Sequence, residues 1–285
     1  MVTGAAGNIG PTICRVLKAD GWRVAACVRT RESVSRWEKM TGQRFEADGT
    51  FARSLEGQRS CQTLIRQIEE ALGPVTLLVN NAASNPKNVL PLQEHTEEYC
   101  RQILDTNLLV PLWLCRAAES SLIEQRGCII NLSSVIVKTL WPGMIMYPVT
   151  KAALEMLTRV LAMELGPKGV RVNAIRVGAV PGSDFVKEVA DKLTESQLRE
   201  LYQQLMPQHF AASAHKSTIG RAGTPQDIAD TIAFLASDRA QFFNGAILDL
   251  DGGYRYRWDR VTPVRNDWDL QKALKQWLEE KGIDP

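Results

Sequence analysis

Short runs of apolar, β-favouring residues recur along this chain with room for a helix between each pair, and that rhythm restricts the fold more than any other feature. Trp22 to Val28, Thr76 to Asn80, Cys128 to Ser133, Val170 to Ile175 and Ala246 to Asp249 read as strands. They are apolar at successive rather than alternate positions, so both faces are expected to be buried, as in a parallel sheet with right-handed crossovers. The expected fold class is α/β, a doubly wound parallel sheet. The stretch from Gly182 to Gly220 interrupts the rhythm: it is polar, has helical spacing over Glu195 to Leu205, and reads as an inserted helical lid. After Gly253 the composition shifts again. Behind Asp267, Leu270, Leu274, Trp277 and Leu278 recur at i, i+4, i+7 and i+8, with Gly282 as a stop, which predicts a C-terminal tail helix with one apolar stripe. The expected organisation is one unit over residues 1–253, its lid at about 182–220, and a tail over 254–285 that docks on its own unit or on a neighbouring subunit.

Charge and composition narrow the partners. Among 285 residues, 34 Lys+Arg face 32 Asp+Glu, a net charge of +2. That balance supplies no field suited to a phosphate backbone, so no nucleic-acid partner is expected. No apolar run approaches the roughly 18 residues that span a bilayer, and the first residues lack a basic-then-apolar export signal, so a cytoplasmic protein without a membrane partner is expected. The six cysteines (Cys14, Cys27, Cys61, Cys100, Cys115, Cys128) have no C-x-x-C spacing and read as reduced core thiols. His95, His209 and His215 are not at i,i+4 spacing, and no metal site is expected.

Four segments carry chemistry. Thr3-Gly4-Ala5-Ala6-Gly7-Asn8-Ile9-Gly10 leads directly into helical spacing from Pro11 to Ala19. A glycine turn there lets backbone N–H groups approach a pyrophosphate, whose charge the helix N-terminus favours. Only Met1 and Val2 precede the turn, where about 5 strand residues are usual. A shortened first strand is therefore expected, either because the sequence starts downstream of the natural start or because the fold tolerates a stub. In Tyr147-Pro148-Val149-Thr150-Lys151 the i,i+4 spacing puts an ammonium beside a phenol on one helix face. Ser134 ends the apolar run that starts at Ile129 and precedes Tyr147, and Asn107 lies in Asp105-Thr106-Asn107-Leu108.

Taken together, these segments resemble the short-chain dehydrogenase/reductase family over residues 1–253. The family's TGxxxGxG turn has Asn8 at its middle glycine and Gly7 one place early, which also matches the TGxxGxxG spacing of the extended, epimerase-type branch. Asn80-Asn81-Ala82-Ala83 is similar to the NNAG motif and Tyr147 to Lys151 to YxxxK, with Ser134 and Asn107 at the family's spacing. Gly220 to Pro225, Phe234 to Asp238 and Asp251-Gly252-Gly253 resemble its C-terminal segments.

The resemblance implies a Rossmann-like fold and hydride transfer between nicotinamide C4 and a substrate carbon. Tyr147 would act as acid in reduction and base in oxidation, its phenolate favoured by Lys151 and by the positive nicotinamide. Ser134, with Ser133 as the runner-up, would hydrogen-bond the developing alkoxide. Lys151 would bind the ribose and tune Tyr147, and the carbonyl of Asn107 would help hold a water next to Lys151. Gly4, Gly7, Asn8, Ile9 and Gly10 would line the pyrophosphate, Asp48 the adenine, Asn80 to Ala82 the cofactor's flank, and Gly178 and Val180 the nicotinamide, with Val177 replacing the family's proline. Val28 stands at the acidic position of the second strand and Arg29 follows it. With no carboxylate to repel a 2′-phosphate and a guanidinium able to grip one, NADP(H) is favoured over NAD(H).

The expected substrate wall is apolar (Val135, Ile136, Leu140, Trp141, Met144), with Lys87, His209, His215 and Lys216 as polar candidates at its rim. The substrate expected is a small carbonyl or alcohol. The helices spanning about Glu97 to Glu124 and Pro148 to Glu164 offer Leu104, Leu108, Leu112 and Leu154, Leu157, Leu161 for a homodimer or homotetramer, or simply for packing on the sheet. The leading function is an NADP(H)-dependent oxidoreductase. The alternatives are an epimerase or dehydratase using transient oxidation, and a non-catalytic cofactor-binding scaffold.

Overall fold

The computed structural model describes residues 1–84, 90–140, 142–182, 189, 192–214, 217–256 and 269–283. Seven strands form one sheet in the order β3-β2-β1-β4-β5-β6-β7. They are β1 (Val2–Thr3), β2 (Ala25–Val28), β3 (Gly49–Ala52), β4 (Leu77–Asn80), β5 (Cys128–Ser134), β6 (Arg171–Val177) and β7 (Ile247–Leu250). Every adjacent pair is parallel. The chain steps outward from β1 to β3 and then returns to the other side of β1 with β4, which opens a crevice at the carboxyl ends of β1 and β4. The stub β1 is stitched in place: the Met1 amine donates to the Leu77 carbonyl at 2.8 Å and the Val79 N–H to the Met1 carbonyl at 3.0 Å.

The helices are α1 (Gly10–Ala19), α2 (Glu32–Thr41), α3 (Gly57–Leu72), α4 (Glu97–Leu104), α5 (Val110–Ala117), α6 (Glu119–Glu124), α7 (Ile136–Thr139), α8 (Met146–Leu165), α9 (Glu195–Ala212), α10 (Pro225–Ala236) and α11 (Leu270–Glu280). One face of the sheet is covered by α1 and α10, with Ile13, Leu17, Ile228 and Ile232 packed on Val79 and Ile130. On the other face α3, α5 and α8 bring Leu64, Ile68, Leu114 and Leu165 against Leu78 and Ile129. Burial of β2 and β4 at all their positions is what their unbroken apolar runs require. All six cysteines are free thiols, and five of them are buried. Among the described residues, no helix is long and apolar enough to cross a membrane.

A third apolar cluster joins α2, α9 and α11: Met40, Leu201, Leu205, Met206, Trp277 and Leu278. The helix expected over Glu195 to Leu205 continues to Ala212 through Pro207, because Met206 and Phe210 extend the same apolar face. The tail helix forms on the expected stripe and ends just before Gly282, whose φ is 67°. Its start differs from the expectation. Asp267 lies outside the described residues, and the side chain that caps the helix is Asp269, which accepts from the N–H groups of Gln271 and Lys272. The Trp277 indole donates to Gln204 Oε1 at 2.8 Å, and Lys281 pairs with Glu200 at 2.8 Å. Trp277→Ala is expected to lower the unfolding free energy by about 3 kcal/mol in a urea titration, the usual cost of emptying a large aromatic site. A loss below about 0.5 kcal/mol, the range of ordinary surface substitutions, would show that the tail does not dock there in solution.

Candidate active site

The carboxyl ends of β4, β5 and β6 lie along the crevice edge, and most of the residues singled out in the sequence converge there. Ser134 is the last residue of β5, and Tyr147 sits in the first turn of α8 with Lys151 one turn further on. The Lys151 Nζ lies 5.7 Å from the centre of the Tyr147 ring. It also donates to the Leu132 carbonyl at 2.7 Å, which anchors the ammonium to the strand that carries Ser134. Burial pushes the Tyr147 phenol above its ordinary value, and its hydrogen-bonding interaction with Ser134 acts in the opposite direction. Burial also brings the Lys151 ammonium down to about 8. In the absence of a dinucleotide, burial is therefore the larger influence on the phenol, opposite in sign to the pull expected from Lys151 and the nicotinamide.

Asn107 is fully buried inside a π turn at Asp105–Leu109, the kind of helix distortion that is often found at functional positions. Its Oδ1 accepts from the Ser84 N–H at 2.7 Å, and its Nδ2 donates to the Ser84 carbonyl at 2.9 Å and to Thr150 Oγ1 at 3.2 Å. Both amide hydrogens and one acceptor site of the side chain are thus engaged in clamping the segment after β4 to α8.

The glycine turn is braced from β4. Thr3 Oγ1 accepts from the N–H groups of Asn81 and Ala82, each at 3.0 Å, and Asn81 Nδ2 donates to the carbonyls of Thr3 and Gly4. Gly4 has φ +61°, and a Cβ there would stand 2.8 Å from Ala82 Cα, so only glycine fits. Gly7 closes the turn with a 2.9 Å bond to the Gly4 carbonyl, and Ile9 opens α1 with no side-chain cap on the first amides. Those uncapped N–H groups at a helix start beside a glycine turn fit a pyrophosphate. Asn8, at the family's glycine position, donates to the Pro181 carbonyl at 3.2 Å and so ties the turn to the segment after β6.

Two expectations need correction. Asp48 is not near an adenine site. Its carboxylate binds the Val24 N–H at 2.8 Å and Lys18, at the amino ends of β2 and β3 and the far end of α1, roughly 13 Å of strand away from the crevice. The error arises because β3 begins after Asp48, not before it. The Asn80 side chain points into the interior, donating to Asn131 Oδ1 at 2.8 Å, because its pleat position faces α5 and not the turn. Gly178 lies tight against the segment after β7, where a Cβ would stand 2.6 Å from Asp251 Cα. Val180 likewise packs on the α1 and α10 side, near Gly223.

One residue was missed. The β2–β3 register pairs Val28 with Ala52, and the Arg53 N–H donates to the Val28 carbonyl at 2.9 Å, so Arg53 stands beside Arg29 at the crevice edge. The Arg53 Nε is buried with no hydrogen-bond partner, and its Nη2 reaches Gln67 only at 3.4 Å. Seeing this required recognising β3, a half-exposed edge strand without an apolar run. On the substrate side, Val135 and Ile136 are almost fully buried, whereas Leu140 is 70% exposed with φ 40°. Lys87, Trp141, His215 and Lys216 lie outside the described residues, as do parts of the segment 182–220.

A family model described as enoyl-(acyl carrier protein) reductase matches residues 4–255. An uncharacterised oxidoreductase of Methylorubrum extorquens is 34% identical over 260 residues, covering 90% of this chain and 96% of that protein. The 3-oxoacyl-(acyl-carrier-protein) reductase FabG of Staphylococcus aureus is 31% identical over 258 residues, covering 89% and 96%. The crystal structure of a short-chain dehydrogenase/reductase-family oxidoreductase from Burkholderia thailandensis superposes with a TM-score of 0.71 at 27% identity, covering 90% and 92%. The chain belongs to the short-chain dehydrogenase/reductase family. It is an NAD(P)-dependent oxidoreductase of that family.

Proposed function

We propose that this enzyme reduces a carbonyl compound, or oxidises the matching secondary alcohol, with NADP(H) preferred over NAD(H), and that Tyr147 exchanges the proton. The observation that carries this reading is the meeting of Tyr147, Ser134 and buried Lys151 at one strand edge. When bound, the dinucleotide supplies or accepts a hydride at its nicotinamide ring. Tyr147, whose phenol burial pushes above its ordinary value, is poised as the acid for a carbonyl oxygen, and Ser134 donates a hydrogen bond to the oxygen as charge develops on it. Lys151 commits one hydrogen to Leu132 and keeps others for the ribose. The main-chain carbonyl of Asn107 supports a water. Gly4, Gly7, Asn8, Ile9 and Gly10 cradle the pyrophosphate, Ala82 flanks it, and Gly178 and Val180 approach the nicotinamide through their main chain.

Arg29 and Arg53, side by side where β2 and β3 end, favour a 2′-phosphate. The carbonyl acted on by the Staphylococcus aureus relative, by its name, and the exposed apolar Leu140 and Ile145 on the segment leading into Tyr147 support a small, largely apolar carbonyl substrate. In this reading residues 1–253 are the catalytic unit, 182–220 its lid, and 254–285 a tail that braces the lid. Copies pair through α8, where Met156, Val160 and Met163 are exposed, in a dimer or tetramer.

The test is the reduced-nicotinamide absorbance across a panel of carbonyls and alcohols with both cofactors. We expect net oxidation of NADPH, with kcat/KM at least about tenfold above NADH, and a fall of about tenfold or more for NADPH alone in Arg53→Gln, the scale of one charge-assisted hydrogen bond. A wild-type preference for NADH overturns the cofactor assignment. Product without net absorbance change would favour transient oxidation, and no product at all would favour a scaffold.

A further inference from the structure

Below Tyr147 and Lys151, the face of α8 turned to the sheet is polar where a buried helix is usually apolar. Lys151, Glu155 and Thr158 are each at most 3% exposed. Lys151 bonds the Leu132 carbonyl, and Thr158 Oγ1 accepts from Asn131 Nδ2 at 2.9 Å. Glu155 Oε1 accepts from Arg176 Nε at 2.7 Å, and its Oε2 accepts from Arg176 Nη2 at 2.6 Å, a two-point fork from β6. The same Glu155 Oε1 accepts from the Ser133 hydroxyl at 2.7 Å, one residue before Ser134. Arg176 Nη1 continues to Asp249 on β7 at 3.1 Å, and Asp249 to Lys138 on α7 at 3.2 Å. One chain of alternating charge thus links β5, α8, β6, β7 and α7.

We propose that Glu155 and Arg176 are positioning residues: their buried pair fixes the register of α8 against β5 and so sets Tyr147 opposite Ser134. The inference rests on the reading of Tyr147 as the proton-exchanging group. A buried ion pair is a poor source of stability, since apolar residues of like volume often replace one without loss of fold. What a fork-to-carboxylate pair supplies and an apolar seam lacks is a single geometry. Sliding α8 by one residue would move Tyr147 about 1.5 Å along its axis. Misplacement of about 1 Å at a reacting group can cost about 10²-fold in rate. Neither Glu155 nor Arg176 is a catalytic residue in this scheme. They act through the placement of Tyr147, Lys151 and Ser134.

The test is the double variant Glu155→Met/Arg176→Met, in the full-length chain, beside wild type and Tyr147→Phe. We expect Tm within about 5 °C of wild type, NADPH Kd from nicotinamide fluorescence within about twofold, and kcat lower by about 30-fold or more, within the range for a misplacement near 1 Å. A double variant that keeps kcat within about threefold overturns the proposal. If the double variant does not fold, Arg176→Lys carries the same test, because it keeps the charge and loses the fork. It should lower kcat by about tenfold at unchanged Kd, and Arg176→Lys turning over like wild type overturns the proposal equally. Should Tyr147→Phe retain turnover, the underlying reading fails. Should Tyr147→Phe be inactive while the pair variants turn over normally, the positioning role alone fails.

Discussion

Tyr147→Phe is expected to lower kcat by about 10³-fold or more, while the dinucleotide Kd changes by less than about twofold, because a positioned general acid contributes about 10² to 10⁴ and the ring itself is kept. The phenylalanine preserves the packing over Lys151 and deletes only the hydroxyl that interacts with Ser134. Stopped-flow or steady-state rates with NADPH, together with fluorescence titration of the same cofactor, separate the two quantities. Turnover within tenfold of wild type would mean that the proton comes from elsewhere. The same substitution should remove from the pH–rate profile the limb assigned to the phenol, which burial places above its ordinary value in the free protein.

Lys151→Met is expected to abolish turnover and yet make the protein more stable at neutral pH. Burial lowers the Lys151 ammonium from 10.5 to about 8, so holding it charged in the fold costs about 3 kcal/mol. The sign follows from proton counting. Between about 8 and 10.5 the unfolded chain binds more protons at this site than the folded one, so stability contributed by the site rises with pH across that window. Below about 8 both states are charged there and the full cost is present. The lost hydrogen bond to Leu132, worth about 1 kcal/mol, offsets part of the gain. Urea titrations should therefore show the methionine variant about 2 kcal/mol more stable at pH 7, with that advantage gone near about pH 9.5 and reversed by about 1 kcal/mol toward pH 10.5, where only the lost hydrogen bond remains. A variant less stable than wild type at pH 7 would show that Lys151 is better solvated than its surroundings indicate. The pairing of gained stability with lost activity is the usual mark of a charge kept for chemistry.

Much of this site was legible because its members are fixed by local spacing. Tyr147 and Lys151 share a helix face by periodicity alone, Ser134 ends a run too apolar to be anything but a central strand, and the glycine turn announces the β1–α1 junction. The parallel sheet was legible for the same reason. What escaped depended on tertiary pairing. Gly49–Ala52 carries no apolar run because it is a half-exposed edge strand, and without it Asp48 could be placed at the wrong end of the sheet and Arg53 overlooked. Glu155 and Thr158 look like solvent-facing helix residues until Arg176 and Asn131 arrive from strands distant in sequence. Asn80 and Asn81 are neighbours with opposite duties, one inside and one bracing the turn, a division made by the pleat and invisible in the dipeptide.

Because every strand runs the same way, the molecule has two unlike rims. In the proposed reading, a changed side chain at the rim where the strands finish alters which molecule is transformed. The rim where they start is held by Lys18 with Asp48 and by the Met1 amine on Leu77, and in the same reading a changed side chain there alters how firmly the sheet is held. Evolution can therefore rewrite specificity on one side without disturbing the scaffold on the other, and a designer seeking new substrates has half of the protein to leave alone.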